Sequence, residues 1–185
     1  MLSRFMIVYF MRHGQTEYNV KNLINCTPSE IIPLTKKGRE QVENVRKKLA
    51  GAKFDVIFVS EFLRTQETAN ILNRSNVPIK IDKRLNEFNS GLEGQNIQMF
   101  VDERKKSGKS RMDFKLDDTR ENLGDVKKRV KDFLDDLKDE TYQDVLVITH
   151  EAVILAAMAI LEKNVKESDV FERRLENLYF CPFEI

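Results

Sequence analysis

The run Phe5-Met6-Ile7-Val8-Tyr9-Phe10-Met11 stops abruptly at Arg12-His13-Gly14-Gln15-Thr16. Its length and its β-branched and aromatic bias suit a buried strand, and the glycine lets the chain turn sharply at the strand end. A guanidinium and an imidazole therefore stand at the carboxyl end of a buried strand, the edge at which open α/β sheets bind ligands. His13 is one of only two histidines in the chain.

Composition narrows the choices further. At 185 residues and 41% apolar, the chain is expected to build one core, a single domain over residues 1–185. A formal net charge of +1 creates no global field toward nucleic acid or an anionic membrane, so neither is expected as a partner and any anion recognition must be local. Cys26 and Cys181 have no metal-ligand spacing and are too few for a disulfide framework, which points to reduced thiols and a cytoplasmic location. The apolar N-terminal run is short and lacks a small-residue cleavage site, so it reads as the first strand rather than a signal peptide. Ala152–Leu161 is about half the roughly 20 residues a bilayer span needs and reads as a buried helix.

Along the chain, Thr35 offers an N-cap to a helix carrying Val42, Val45 and Leu49 and closing at Gly51. Phe54–Val59 reads as a second strand ending at Ser60, which is expected to cap a helix bearing Arg64, Ala69 and Leu72. Ile79 and Ile81 mark a third strand leading to Glu87, the one carboxylate in its turn. Asn96–Arg104 is weakly helical and Lys105–Arg111 is a basic run, so residues 89–120 read as a mobile lid or cap excursion. Leu123, Val126, Val130, Phe133, Leu134 and Leu137 line one face of a long helix. Val145–Ile148 makes a fourth strand ending at Thr149-His150, where a further helix starts, and Leu178–Phe183 closes as an edge strand because Pro182 suits only an edge. Strands alternating with helices imply a three-layer α/β/α sandwich with a mostly parallel central sheet.

In a parallel sheet the strand ends share one edge, and that edge receives Arg12, His13, Ser60 with Arg64, Glu87 and His150. Two permanent cations, two imidazoles and one carboxylate beside helix N-termini describe a site for an oxyanion, and phosphate fits best. No metal site is expected, since arginines would repel the ion and ligands are few. A dinucleotide site would need three glycines after the first strand, and a serine hydrolase would need its Gly-x-Ser-x-Gly elbow.

These residues resemble the histidine phosphatase superfamily, the phosphoglycerate mutase-like family. The matching blocks are Arg12-His13-Gly14-Gln15-Thr16 with Asn19, Leu34-Thr35-x-x-Gly38 with Gln41, and Ser60-x-x-x-Arg64-Thr65-x-x-Thr68-Ala69. They continue through Leu85-x-Glu87-Phe88 with Gly91-Leu92-Glu93-Gly94, Glu121 before Arg129-Val130, and Thr149-His150. The resemblance implies a phosphoglycerate mutase-like fold and a cofactor-independent phosphomonoesterase. It implies that His13 is the nucleophile forming a phosphohistidine, that Arg12, Arg64 and His150 hold phosphoryl oxygens, and that Glu87 gives a proton to the leaving group. Asn19 matches a position that adds a phosphate contact, and Gln15 and Thr16 line the same loop. The substrate is then a small phosphorylated metabolite or a phosphoprotein, and no oligomeric state follows. The alternatives are a phosphoglycerate mutase, a protein phosphohistidine phosphatase, or a phosphate-binding signalling module.

Three expectations concern departures and charge. Glu151 stands where the family usually has glycine, and it must turn away from phosphate or pair with an arginine. Asn25-Cys26-Thr27-Pro28 replaces a family Gln-Gly pattern, so substrate specificity is expected to reside in Glu17–Pro33 and Asn89–Arg120. Two arginines beside Glu87 are expected to depress its pKa, so a donor role requires that bound phosphate or burial offset them.

Overall fold

The computed structural model describes residues 5–185; residues 1–4, part of the expected domain, lie outside the described residues. Among the described residues five strands form one sheet: β1 (Ile7–Arg12), β2 (Val56–Val59), β3 (Ile79–Ile81), β4 (Asp144–Thr149) and β5 (Phe180–Glu184). Their order is β3-β2-β4-β1-β5, with β1, β2, β3 and β4 parallel and β5 antiparallel to β1. The expected mostly parallel sheet is therefore present, and Pro182 lies on an edge strand, where a missing N–H costs no ladder bond.

Alternation along the strands sends side chains into two cores. Val8, Phe10, Val56, Val145 and Val147 face one side, against α5 (Leu123–Lys138) and α6 (Glu151–Leu161). Met11, Ile57, Val59, Leu146 and Ile148 face the other, with Ala69, Val45 and Leu72 of α2 (Lys36–Lys48) and α3 (Leu63–Leu72). Coverage on both faces explains why β2 and the middle of β4 are apolar without a break. This is the α/β/α sandwich. The remaining helices are short or peripheral: α1 (Glu17–Val20), α4 (Ile97–Ser107) and α7 (Glu167–Phe171).

Local chemistry sets most boundaries. The Thr35 hydroxyl accepts from Gly38 N at 2.8 Å and starts α2 as expected. Asn122 and Asp125 form a reciprocal capping box at the start of α5. Gly51, in contrast, does not close α2, because Leu49 already caps it with its N–H on the Val45 carbonyl. Phe54 falls just outside β2 and packs edge-on against Tyr9 at 5.5 Å.

The excursion 89–120 differs most from expectation. Half of the basic run is the last turn of α4, where cations suit the negative helix end, and Gly108 ends it with φ +66°. Phe100 packs edge-on against both Phe88 and Phe114, each at 5.3 Å, and Phe114 is buried. An aromatic chain thus pins this segment as a packed cap, and Leu23 bridges to Asn96 at its start.

Candidate active site

At the carboxyl edge of the sheet lies a cavity of about 550 Å³. Arg12 and His13 from the end of β1, Arg64 from the first turn of α3, Glu87, Thr16 and Asn19 all line it. The segments named from the sequence are therefore brought together by the parallel topology.

His13 is 2% exposed, and its backbone N–H is anchored on the Thr149 carbonyl of β4 at 3.0 Å. Its Nδ1 lies 2.7 Å from the Gly14 carbonyl, an oxygen that only accepts, so Nδ1 carries the proton and Nε2 keeps a lone pair. Burial, then the Arg64 and Arg12 charges, push the His13 pKa well below the usual imidazole value. The ring is neutral at pH 7.

Arg64 is 4% exposed and makes the densest set of bonds in the site. Its Nε donates to His13 Nε2 at 3.0 Å and its Nη2 donates to His150 Nδ1 at 3.0 Å. Nη1 donates to Asn25 Oδ1, and the guanidinium lies over the Phe62 ring at 4.2 Å. Burial pulls its pKa down to about 10, which leaves it charged at neutral pH.

His150 stands one layer deeper, fully buried, with its ring centroid 5.2 Å from that of His13. Because Arg64 only donates, Nδ1 accepts, and Nε2–H must donate to Ser60 Oγ at 2.8 Å. Ser60 is thus not the cap of α3, whose N-cap is Phe62 without a side-chain bond. Its hydroxyl orients His150 and continues to Thr65 Oγ1 at 2.8 Å. Burial and Arg64 hold the His150 pKa well below normal. His150 does not border the cavity; the Arg64 guanidinium lies against its Nδ1.

Packing on the cavity wall takes Glu87 partly out of water. That desolvation raises its pKa and outweighs the Phe88 N–H bond and the lowering by Arg64 and Arg12. Burial is thus the offset at work: removal of water from the carboxylate wins over two nearby cations. A two-pronged ion pair positions its segment, with Arg129 Nε and Nη2 on Glu121 at 2.8 and 3.2 Å, and Glu121 accepting from Asn89 N at 2.9 Å.

Thr16 and Asn19 cap α1 reciprocally, and Asn19 Oδ1 also accepts from Asn177. Gln15 is not brought to the cavity wall. Its amide oxygen accepts from Thr35 Oγ1 at 3.2 Å, because Gly38 packs directly on the Gln15 backbone and turns the side chain toward α2.

Several cavity residues escaped the sequence reading. Asn25 holds Arg64, and Glu93 holds Asn25: its carboxylate accepts from Asn25 Nδ2 at 3.1 Å, Cys26 N at 2.7 Å and Thr27 N at 2.8 Å. Glu93 belongs to Gly91-Leu92-Glu93-Gly94, and a lone carboxylate between two glycines is the signal that marks it. The strap 172–179 crosses the strand end, where Asn177 donates to the His13 carbonyl at 3.1 Å and Arg12 donates to the Leu175 carbonyl. Arg111 and Arg174 also reach the cavity. Glu151 pairs with Arg12 at 3.1 Å and Arg174 at 3.3 Å, the arginine pairing its position called for. Both cysteines are free thiols. No helix among the described residues is long and apolar enough to cross a membrane.

Comparison with known proteins agrees with this geometry. The chain is 28% identical over 162 residues to the adenosylcobalamin/alpha-ribazole phosphatase of Escherichia coli, covering 84% of this chain and 79% of that protein. In fold it matches the alpha-ribazole phosphatase of Shigella flexneri, with a TM-score of 0.81 at 24% identity over 96% of this chain and 89% of that one. It also matches a phosphoglycerate mutase of Bacillus anthracis, with a TM-score of 0.82 at 23% identity over 99% and 89%. These relatives are phosphatases and mutases, and the family model of the histidine phosphatase superfamily, branch 1, matches residues 8–185. The chain belongs to that superfamily.

Proposed function

We propose that the protein is a phosphomonoesterase that hydrolyses its substrate through a phosphohistidine on His13. The observation that carries this reading is the fixed tautomer of a buried, neutral imidazole: Nδ1–H on the Gly14 carbonyl leaves the lone pair on Nε2, the atom that attacks.

An incoming phosphoryl group draws the Arg64 N–H groups off the two histidines and onto its own oxygens. Arg12 and Arg64 then face the equatorial oxygens, where charge spreads in the transition state, and fixed cations there lower the barrier. Freed from Arg64, His150 turns to the same group, oriented by Ser60. Nε2 of His13 forms the N–P bond as the P–O bond to the alcohol breaks. Glu87, whose pKa burial raises, gives its proton to the departing alkoxide. The resulting carboxylate takes a proton from water, which attacks phosphorus, breaks the N–P bond and releases inorganic phosphate.

The test is hydrolysis of phenyl phosphate by the wild type and by His13→Ala. The variant is expected to lose at least about 10³-fold in rate, and full activity in it would overturn the assignment. Labelled phosphomonoester quenched in alkali is expected to leave base-stable, acid-labile phosphate on the wild-type chain. A binding module would leave none, and conversion of 3- to 2-phosphoglycerate faster than phosphate release would favour a mutase.

A further inference from the structure

The cavity has two regions with different chemistry. On its floor, Arg12 and Arg64 flank His13. Beyond the floor, the walls mix apolar side chains, Leu23, Ile24, Ile97 and Phe100, with the polar Tyr18, Asn22 and Ser90. The charged groups on this outer side are Arg111 and Arg174 against Glu151 and Glu176. Two cations thus face two carboxylates, and the outer cavity is close to neutral.

Glu151 is the member that creates this balance. Its side chain is 16% exposed, and its two oxygens are divided between Arg12 at 3.1 Å and Arg174 at 3.3 Å. Arg111 lines the same cavity, and its guanidinium donates to the Phe171 carbonyl. Two guanidiniums, Arg12 and Arg174, therefore share one internal carboxylate, and Arg111 lines the same cavity. Without it they would form a site for a second anionic group on the substrate, beside the phosphoryl floor.

We infer that Glu151 is a specificity-determining residue: its carboxylate occupies Arg12 and Arg174, so the cavity takes phosphate monoesters of uncharged alcohols and rejects those carrying a second anion. The inference rests on the phosphomonoesterase reading and adds the class of alcohol. Rejection here is repulsive as well as passive, because a substrate carboxylate must displace Glu151 from Arg174 or lie against it. An apolar or aromatic alcohol instead meets the Phe100 and Ile97 wall, where burial of its surface favours binding.

Binding of two non-hydrolysable probes tests this without turnover. Phenylphosphonate and 4-carboxyphenylphosphonate differ by one carboxylate, and calorimetry gives their affinities for the wild type and for Glu151→Gln. The wild type is expected to bind phenylphosphonate more tightly. Glu151→Gln, nearly isosteric, is expected to move the affinity ratio toward the carboxylated probe by about tenfold. A wild type that prefers the carboxylated probe overturns the inference, even if the variant fails to fold. So does a variant that gains equally for both probes, since Glu151 would then act on the phosphoryl floor alone. If both phosphonates bind with the expected preference but phenyl phosphate is not hydrolysed, only the catalytic reading falls. If neither probe binds, the phosphoryl site itself is wrong and the inference falls with it.

Discussion

Arg64 Nε lies 3.0 Å from His13 Nε2, so the nitrogen proposed to attack phosphorus is held by the cation proposed to stabilise the attack. This contact keeps a lone pair on the buried ring and suppresses its protonation at the same time. Arg64→Gln removes a charge that lowers the His13 pKa. The imidazole is then expected to titrate at higher pH, and kcat to fall by about 10²–10³-fold. An NMR titration of the His13 ring checks the first effect and steady-state kinetics the second. An unchanged titration would falsify the coupling.

Glu87 is the opposite case, a carboxyl whose pKa is raised by burial. Between the ordinary carboxyl value of about 4.5 and its folded value, the native chain holds a proton that the unfolded chain has released. Stability from this group is therefore lost as pH rises through that window, and at higher pH a buried carboxylate remains as a cost. Glu87→Gln removes the cost, so its Tm is expected to exceed the wild type's at pH 8 while kcat drops by about 10²–10⁴-fold. Scanning calorimetry and phosphate release measure the two.

The two buried histidines give a second pH dependence of opposite sign. Both have folded pKa values well below the usual 6.5, so their contribution is intact above pH 6.5 and is lost as pH falls, when the unfolded chain binds protons that the native one refuses. Each such proton costs about 1.4 kcal/mol per pH unit. Because the chain contains only these two histidines, the fall in Tm from pH 7 to pH 5.5 is expected to be shallower in His13→Gln. Equal slopes in both proteins would refute the assignment.

Glu93 touches no substrate position directly, yet its carboxylate accepts three N–H groups from residues 25–27, and Asn25 in turn holds Arg64. Bonds to a charged acceptor are worth about 1.5–3 kcal/mol each. Glu93→Gln weakens all three, and the loop that positions Arg64 loosens. KM for phenyl phosphate is expected to rise about tenfold with a smaller change in kcat, and Glu93→Asp to recover part of the loss.

Gly38 sits where α2 meets the Gln15 backbone, and a Cβ there would lie 2.2 Å from the Gln15 carbonyl oxygen. Backbone cannot yield as a flexible side chain does. Gly38→Ala is expected to cost about 3 kcal/mol and to displace the loop that follows His13. Urea unfolding reads the stability change, and a fall in activity should accompany it.

The apolar runs of β1, β2 and β4, the periodic face of α5 and the caps at Thr35 and Asn122 are short-range effects of side-chain chemistry on backbone conformation. From that alternation alone the parallel sheet followed, and with it the meeting of Arg12, His13, Arg64, Glu87 and His150 at one edge. Which partner each side chain takes is a matter of distances across the fold, and there the one-dimensional pattern misleads. Ser60 turns from a helix N-terminus to His150, Gln15 turns away from the cavity, and Lys105–Gly108 of the basic run form the last turn of α4 and its cap. Asn25, Glu93 and Asn177 join the site through bonds spanning 39 to 164 residues of chain, which no local spacing encodes. Glu87 carries the same lesson for charge. Two neighbouring arginines were visible in the sequence, but the exclusion of water that overrides them is a property of everything packed around the carboxyl, and only the assembled fold sets it.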